Sequence, residues 1–239
     1  MRTTTLTRKL PALLLALAAG QVALASAAGA APGLLGILSP PAPPAPPSPV
    51  AAAAPATPPL LPIEKKLAEL HYDVGPVDGN VDEQTINAIL AFQKVYGLER
   101  TGGLTDPVTA QILATKDDPP ALVPGDTSPN KVEIDLRRQV LFLYENGSLS
   151  KILPVSSGTA KTPTPTGDYQ VYRYDSGWHT SPLGQLYNAE YFVGGYAIHG
   201  AKSVPAEPAS HGCVRIPMTA AEWFPDHVAN GTPVHVLAG

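Results

Sequence analysis

The chain has 239 residues, a single cysteine, 28 prolines and a formal net charge of −4. One cysteine excludes an internal disulfide, so packed cores must stabilise the folded part of the chain. The excess of acidic over basic residues argues against a nucleic-acid partner, because such proteins favour a basic face.

The first 30 residues have the layout of a secretory signal peptide. Residues 2–9 contain three basic side chains, residues 10–24 form a mainly apolar stretch, and small residues then supply cleavage candidates after Ala27 and Ala30. We expect an exported protein located in the cell wall, the periplasm or outside the cell. The chain would be held at a membrane only if this segment remained uncleaved.

Two proline-rich segments predict linkers. Residues 31–62 are nearly all proline, alanine and other small residues, a composition that favours an extended spacer. Residues 116–130 contain Pro119-Pro120 and Pro124-Gly125, which are turn and boundary signals. The folded regions are therefore expected at residues 63–115 and 131–239.

Residues 63–115 predict a small domain of three helices. Apolar residues recur at helical spacing in two stretches: Ile63, Leu67 and Leu70, then Ile86, Ile89, Leu90 and Phe92. A third helix is expected over residues 107–113. Asp82 and Asp106 each stand just before a helix and are the predicted N-caps. Pro107 would follow at a first-turn position, where its missing N–H does no harm.

This helical region resembles the peptidoglycan-binding domain that accompanies many cell-wall enzymes. The matching stretches are Leu70-His71-Tyr72, Gly75-Pro76-Val77-Asp78-Gly79, Thr85, Phe92-Gln93, Gly97-Leu98 and Thr109. The resemblance implies that the glycan of peptidoglycan is a partner. Asp82 and Asp106 stand where glycines are usual in that domain. We expect this difference to leave the helix starts intact. The alternative is a three-helix spacer that binds no ligand.

Residues 131–239 predict a β-rich domain with one or two helices. Residues 132–136 alternate apolar and charged side chains, and residues 140–144 lead into the hairpin signal Asn146-Gly147. Further short strands are expected at residues 152–155, 169–172, 197–198 and 234–237. A capping-box pattern from Thr219 to Glu222 predicts a helix that ends at Gly231. Residues 184–191 are expected to form a mobile flap.

The only cysteine, Cys213, lies in the motif Ser210-His211-Gly212-Cys213-Val214-Arg215, fourteen residues after His199 of Ile198-His199-Gly200. A thiol becomes an effective nucleophile when a nearby imidazole removes its proton. Two alternatives are a buried cysteine that packs as a small apolar side chain and a zinc site built from His199, His211 and Cys213. The zinc alternative lacks a clear carboxylate motif.

Four stretches together resemble the L,D-transpeptidase catalytic domain, and they lie at residues 154–158, 162–167, 198–200 and 210–215. The resemblance implies a β-sandwich with the cysteine at the mouth of a cleft. It also implies attack on peptidoglycan stem peptides, at the bond between the diamino acid in position three and the terminal D-alanine. The predicted fold is thus α+β and multidomain, with a three-helix domain followed by a β-sandwich, and we expect no cofactor and no metal.

The resemblance also implies a role for each residue of the motifs. Cys213 would carry the acyl group as a thioester, and His199 would act as general base and acid. The backbone carbonyl of Gly200 would orient the imidazole. The N–H groups of Gly212 and Cys213 would bind the oxyanion, and Arg215 would contact a substrate carboxylate.

The two remaining polar residues of the motif, Ser210 and His211, would contact the substrate or support the oxyanion site. Spacing alone leaves open which histidine is the base, because His211 would share a face with Cys213 in an extended strand. The resemblance favours His199.

The group that resolves the acyl-enzyme also stays open, because an amine acceptor makes a transpeptidase and water makes an L,D-carboxypeptidase. A wall-binding protein without catalysis is the remaining alternative.

Overall fold

The computed structural model describes residues 59–239. The predicted signal peptide, residues 1–30, and nearly all of the predicted linker 31–62 lie outside the described residues. Over residues 59–239, no helix is long and apolar enough to cross a membrane.

Three helices form the N-terminal part of the described chain, as predicted. They are α1 (Leu60–Glu69), α2 (Glu83–Val95) and α3 (Asp106–Ala114). The Asp82 side chain caps α2 by accepting a hydrogen bond from the Thr85 N–H at 2.7 Å. The predicted cap at Asp106 is wrong, because Thr105 takes the extended cap conformation and accepts from the Val108 N–H. Asp106 instead lies in the first turn, where the helix dipole favours a carboxylate.

The rest of the chain forms two sheets packed face to face. The strands are β1 (Lys131–Asp135), β2 (Val140–Glu145), β3 (Ser148–Pro154), β4 (Gly167–Gln170), β5 (Arg173–Ser181), β6 (Gly184–Val193), β7 (Tyr196–Ala201), β8 (Val214–Pro217) and β9 (Pro233–Leu237). One sheet has the order β3-β2-β1-β9-β4 and the other β5-β6-β7-β8. Side chains from both sheets, such as Leu141 and Ile198, meet in one apolar core. The predicted sandwich is confirmed.

Residues 184–191, expected to form a flap, belong to strand β6 of the hairpin of β5 and β6. The two strands pair antiparallel from Arg173 with Tyr191 to Ser181 with Gly184. Few of the β5 side chains are buried, so the segment lacks the apolar alternation that marks a strand in a sequence. Cross-strand hydrogen bonding therefore defines this hairpin, and that pairing is not visible in local composition.

The helix after β8, α4 (Met218–His227), differs from its prediction at both ends. It begins after Pro217 with no side-chain cap, so the predicted capping box does not form, and it ends four residues before Gly231. Pro225 lies inside the helix and has no N–H to donate to the Ala221 carbonyl. The Asn188 side-chain amide of β6 donates to that carbonyl at 2.9 Å, which fastens the helix to the sheet.

The three helices pack on the outer face of the five-stranded sheet. Along β2, Leu141 and Leu143 face the inter-sheet core, whereas Phe142 lies in a second core together with Phe92 of α2. Successive side chains of a strand point to opposite faces, so the apolar run of β2 supplies both cores. The helical region and the sandwich thus share buried surface, although the predicted linker 116–130 separates them in sequence.

Two cations of the helical region contact the β domain. The buried Lys94 amine of α2 donates to the Val155 carbonyl at 2.8 Å. The Arg100 guanidinium binds the Glu207 carboxylate at 3.0 and 3.1 Å and the Ala206 carbonyl at 3.3 Å. These contacts fix the backbone at Val155 and at Ala206, and Ala206 lies in the segment that leads from β7 to Cys213.

The buried Lys94 makes stability depend on pH. Burial lowers the pKa of its amine to about 7. Between this pKa and the ordinary lysine pKa of about 10.4, the Lys94 amine is protonated in the unfolded chain but has lost its proton in the folded chain. The free energy of unfolding therefore rises with pH over this range. Between pH 7 and 9 we expect the native protein to gain about 1–2 kcal/mol over the Lys94→Met variant.

Urea unfolding followed by tryptophan fluorescence at each pH measures this gain. Lys65→Met, on the exposed face of α1, is the matched control and should track the native protein at every pH. Parallel pH curves for the native protein and Lys94→Met would contradict the prediction.

Candidate active site

His199, Arg215 and Cys213 share one face of the four-stranded sheet. Strands β7 and β8 run parallel, with Ile198 opposite Val214 and His199 opposite Arg215. Ile198 and Val214 are buried in the inter-sheet core. Since side chains alternate along a strand, the neighbours of these two residues point the other way. His199 and Arg215 therefore point to the outer face, and Cys213, which lies just before β8, lines the same cleft.

A cleft of about 730 Å³ opens on this outer face. Its lining includes five of the seven residues singled out in the sequence: His199, Ser210, His211, Cys213 and Arg215. The other two, Gly200 and Gly212, have no side chain and contribute only backbone atoms. A side chain at Gly200 would point toward the helix side, where a Cβ would lie 2.6 Å from the Ala221 Cβ.

The His199 ring is held by a single backbone contact. Its Nδ1 lies 2.9 Å from the Gly200 carbonyl oxygen, and the side chain is buried. A carbonyl can only accept, so Nδ1 carries a proton and the neutral ring keeps its lone pair on Nε2. Burial lowers the pKa of His199, the nearby Arg215 cation lowers it further, and the Gly200 contact partly offsets both. The imidazole is therefore a neutral base at neutral pH.

The Cys213 thiol is partly buried in the same cleft. Burial raises the pKa of Cys213 above its ordinary value, while a backbone hydrogen bond from Ala197 and the Arg215 charge act in the opposite direction. The sulfur also lies 3.9 Å from the Gly195 carbonyl, which can accept the S–H. At neutral pH the cleft thus holds a neutral thiol and a neutral imidazole.

The segment before β8 is bent, not extended. The Ser210 hydroxyl accepts from the Gly212 N–H at 3.0 Å and donates to the Cys213 carbonyl at 2.5 Å. Gly212 has φ +121, a conformation that side chains disfavour. The strand alternation that would place His211 beside the sulfur therefore does not apply, and His211 is exposed at the cleft. The Gly212 N–H, one of two predicted oxyanion donors, is already engaged within the loop.

The two upstream motifs, residues 154–158 and 162–167, support this loop from behind. The Ser157 carbonyl accepts from the N–H groups of both Ala209 and Ser210 at 3.0 Å. The Thr164 hydroxyl donates to the Gly212 carbonyl at 2.7 Å. Ser156 exchanges two backbone hydrogen bonds with Arg215. These motifs shape the catalytic loop without lining the cleft.

Other cleft residues lie on the β5–β6 hairpin and in the segment just after β7, and no motif assigns them a role. Arg173 lies over the Tyr191 ring at 3.8 Å, and the Lys202 amine lies 5.5 Å from the Trp178 ring. Tyr187, by contrast, turns away and donates its hydroxyl to Glu222. No local motif marks these residues. For residues 59–239, no grouping of three or more His, Cys, Asp or Glu side chains suits a metal ion.

Comparison with known proteins agrees with this geometry. The family model of the L,D-transpeptidase catalytic domain matches residues 129–236, and that of a peptidoglycan-binding domain matches residues 59–113. A crystal structure of an L,D-transpeptidase from Xylanimonas cellulosilytica is 36% identical, with a TM-score of 0.68. That alignment covers 76% of this chain and 94% of the other. The chain belongs to the L,D-transpeptidase family.

Two further proteins that are similar to this chain are also named as L,D-transpeptidases. L,D-transpeptidase 2 of Mycobacterium tuberculosis is 32% identical over 121 residues, which are 43% of this chain and 30% of that protein. The chain therefore spans less than a third of this relative's length. An L,D-transpeptidase structure from Stackebrandtia nassauensis is 24% identical and has a TM-score of 0.48, with 74% of this chain and 89% of the other covered.

The bend at Gly212 depends on the absence of a side chain. A Cβ there would lie 2.4 Å from Cε1 of Tyr196, on a backbone that already disfavours side chains. We expect Gly212→Ala to lower the free energy of unfolding by roughly 2 kcal/mol. Gly195→Ala is the matched control, because a Cβ at that cleft glycine meets no atom within 4 Å. Urea unfolding measures both, and equal stability of the two variants would refute the proposed constraint.

Proposed function

We propose that this protein is a cysteine-dependent L,D-transpeptidase that cross-links peptidoglycan stem peptides through a thioester on Cys213. The observation that carries the proposal is the convergence of Cys213 and His199 in one cleft, with the imidazole oriented by the Gly200 carbonyl. The match of residues 59–113 to a peptidoglycan-binding domain supports peptidoglycan as the substrate and its glycan as a partner of the helices. The signal pattern in residues 1–30 supports an exported location.

The first half-reaction forms the thioester and releases D-alanine. As the Cys213 sulfur attacks the carbonyl of the third stem residue, His199 Nε2 accepts the thiol proton and the carbonyl electron pair moves onto oxygen. The intermediate collapses when the carbon–nitrogen bond breaks and His199 returns the proton to the leaving amine. Because the resting thiol is neutral, proton transfer accompanies the attack.

The second half-reaction transfers the acyl group to an acceptor. An amine of a second stem peptide attacks the thioester carbonyl while His199 Nε2 takes one of its protons. The carbon–sulfur bond then breaks, and the proton passes to the Cys213 sulfur, which restores the resting pair. Attack by water in place of the amine would give L,D-carboxypeptidase activity with the same residues.

Charge stabilisation is assigned to the residues around the sulfur. The Cys213 N–H is the main oxyanion donor in this proposal, because the Gly212 N–H already donates to Ser210. His211, exposed at the cleft, contacts the substrate. The Arg215 guanidinium binds a substrate carboxylate, for which its planar pair of donors is suited.

Replacing either member of the catalytic pair should abolish acylation. With tetrapeptide stems, we expect Cys213→Ala to form no adduct and His199→Ala to acylate at least about 100-fold more slowly. His179→Ala is the matched control, since this histidine of β5 lies outside the cleft lining. Intact-protein mass spectrometry measures the thioester, and product analysis identifies the acceptor.

Each product pattern decides between the candidate functions. Dimers linked between two position-three residues support the transpeptidase, whereas shortened tripeptides alone support the carboxypeptidase. A native protein without any thioester adduct would overturn both and favour a wall-binding protein without catalysis. A His199→Ala variant that acylates at the native rate would overturn the assignment of the base.

The resting protonation states predict two separate pH dependences. Acylation by the stem peptide should fall only below pH 6.5, because the pKa of His199 is lowered from that value. Alkylation of Cys213 by iodoacetamide requires the thiolate, so its midpoint should lie above pH 9, because the pKa of the thiol is raised from 9.0. An alkylation midpoint below pH 7 would reveal a resting thiolate–imidazolium pair and contradict this mechanism.

A further inference from the structure

The charged side chains that line the cleft are all cations. They are Arg173, Lys202 and Arg215, and the lining, all within residues 59–239, contains no aspartate or glutamate. The whole chain, by contrast, has 20 acidic against 16 basic residues. A concave site lined by one sign of charge concentrates its electric field and attracts ligands of the opposite sign.

Arg173 is fixed at the cleft by an aromatic ring. Its guanidinium carbon lies 3.8 Å from the centroid of the Tyr191 ring, which also lines the cleft. Asp175 lies 3.4 Å from one guanidinium nitrogen, but Arg173 is half exposed, so this pair is weak and leaves donors available. Stacking on an aromatic ring holds the cation in position without neutralising it.

Lys202 is placed in a similar way near the same hairpin. Its amine lies 5.5 Å from the centroid of the Trp178 ring, and both residues line the cleft. Lys202 directly follows β7, three residues after His199, so it stands on the catalytic strand's side of the cleft. The two unassigned cations thus belong to different chain segments that face one space.

Two further carboxylates on these chain segments do not cancel this charge. Glu190 precedes Tyr191 in β6, but it is buried, and burial raises the pKa of its carboxyl to about 8. It is therefore mostly uncharged at neutral pH. Glu207, on the segment after Lys202, is paired with Arg100 of the helical region. The cleft consequently keeps a net positive charge.

We propose that Arg173 and Lys202 are specificity-determining residues that bind carboxylates of the donor stem peptide in addition to the one bound by Arg215. The inference rests on the proposed function for the identity of the donor. On this proposal, the cleft prefers a stem peptide whose second and third residues carry free carboxylates to a stem peptide in which both groups are carboxamides. A carboxamide keeps the shape and some hydrogen bonds of the acid but loses its charge, so the cleft distinguishes the two by electrostatics.

The charge of the cleft can be tested without any peptide. Iodoacetate and iodoacetamide alkylate Cys213 by the same displacement and differ by one negative charge. At fixed pH, the ratio of the iodoacetate rate to the iodoacetamide rate should fall about threefold in Arg173→Gln and in Lys202→Gln. Lys65→Gln removes the same charge from the exposed face of α1 and should leave the ratio unchanged. The native ratio should also fall as salt is raised from 20 to about 500 mM.

The specificity itself is tested with matched synthetic tetrapeptides. We expect the native protein to show at least about tenfold higher kcat/KM for the free-acid stem than for the stem with carboxamides at residues two and three. In Arg173→Gln and Lys202→Gln this preference should shrink, mainly through a higher KM for the free acid. Lys65→Gln should retain the native preference.

The two experiments separate failure of the inference from failure of the proposed function. Alkylation ratios that are unchanged in both cleft variants and insensitive to salt would overturn the inference, as would equal use of the two stems. If neither stem is used, the proposed function fails, and the alkylation ratios alone then decide whether the cleft selects anions.

Discussion

The parallel pairing of β7 with β8 is the constraint on which the site depends. Its register sets His199 opposite Arg215 on the cleft face, while Ile198 and Val214 fill the core behind them. A slip of one residue would turn the imidazole or the guanidinium into that apolar core, at a prohibitive cost. Core packing therefore enforces the alignment of the reacting groups. The placement of the proposed catalytic residues thus follows from a register that apolar residues select.

Parallel neighbours need a crossover, and here the crossover is residues 202–213, which contain no helix or named strand. Its shape is set by contacts from outside: the Ser157 carbonyl, the Ser156 hydroxyl and the Arg100 side chain all bind it. Arg100 belongs to the helical region, and Lys94 of the same region binds the carbonyl next to Ser156. The region that resembles a wall-binding domain is thus also part of the framework that holds the catalytic loop.

Sequence patterns predicted the helices and strands whose buried apolar residues recur at a regular spacing. They missed the elements in which no such spacing exists. The three N-terminal helices and the strands within residues 131–145 carry apolar patterns, and they form near the predicted positions. The β5–β6 hairpin is largely exposed on β5, so its pairing left no apolar signal. The cap of α3 was misplaced by one residue because Thr105 and Asp106 are both good caps. The expected capping box of α4 does not form because the helix begins at Met218, which places Thr219 inside the first turn and not at the cap.

The sequence by itself determined which residue types could do the chemistry. A lone cysteine, two histidines and an arginine in two short motifs limited the candidates to Cys213, His199 or His211, and Arg215. Only the tertiary structure decided that the Gly212 N–H is engaged in the bend, that His211 is exposed, and that Arg173 and Lys202 complete a cationic cleft. The physical reason is that the type of side chain determines which reactions it can perform. The distances between residues remote in sequence, and the charges they carry, depend on strand register and burial, which the whole fold determines.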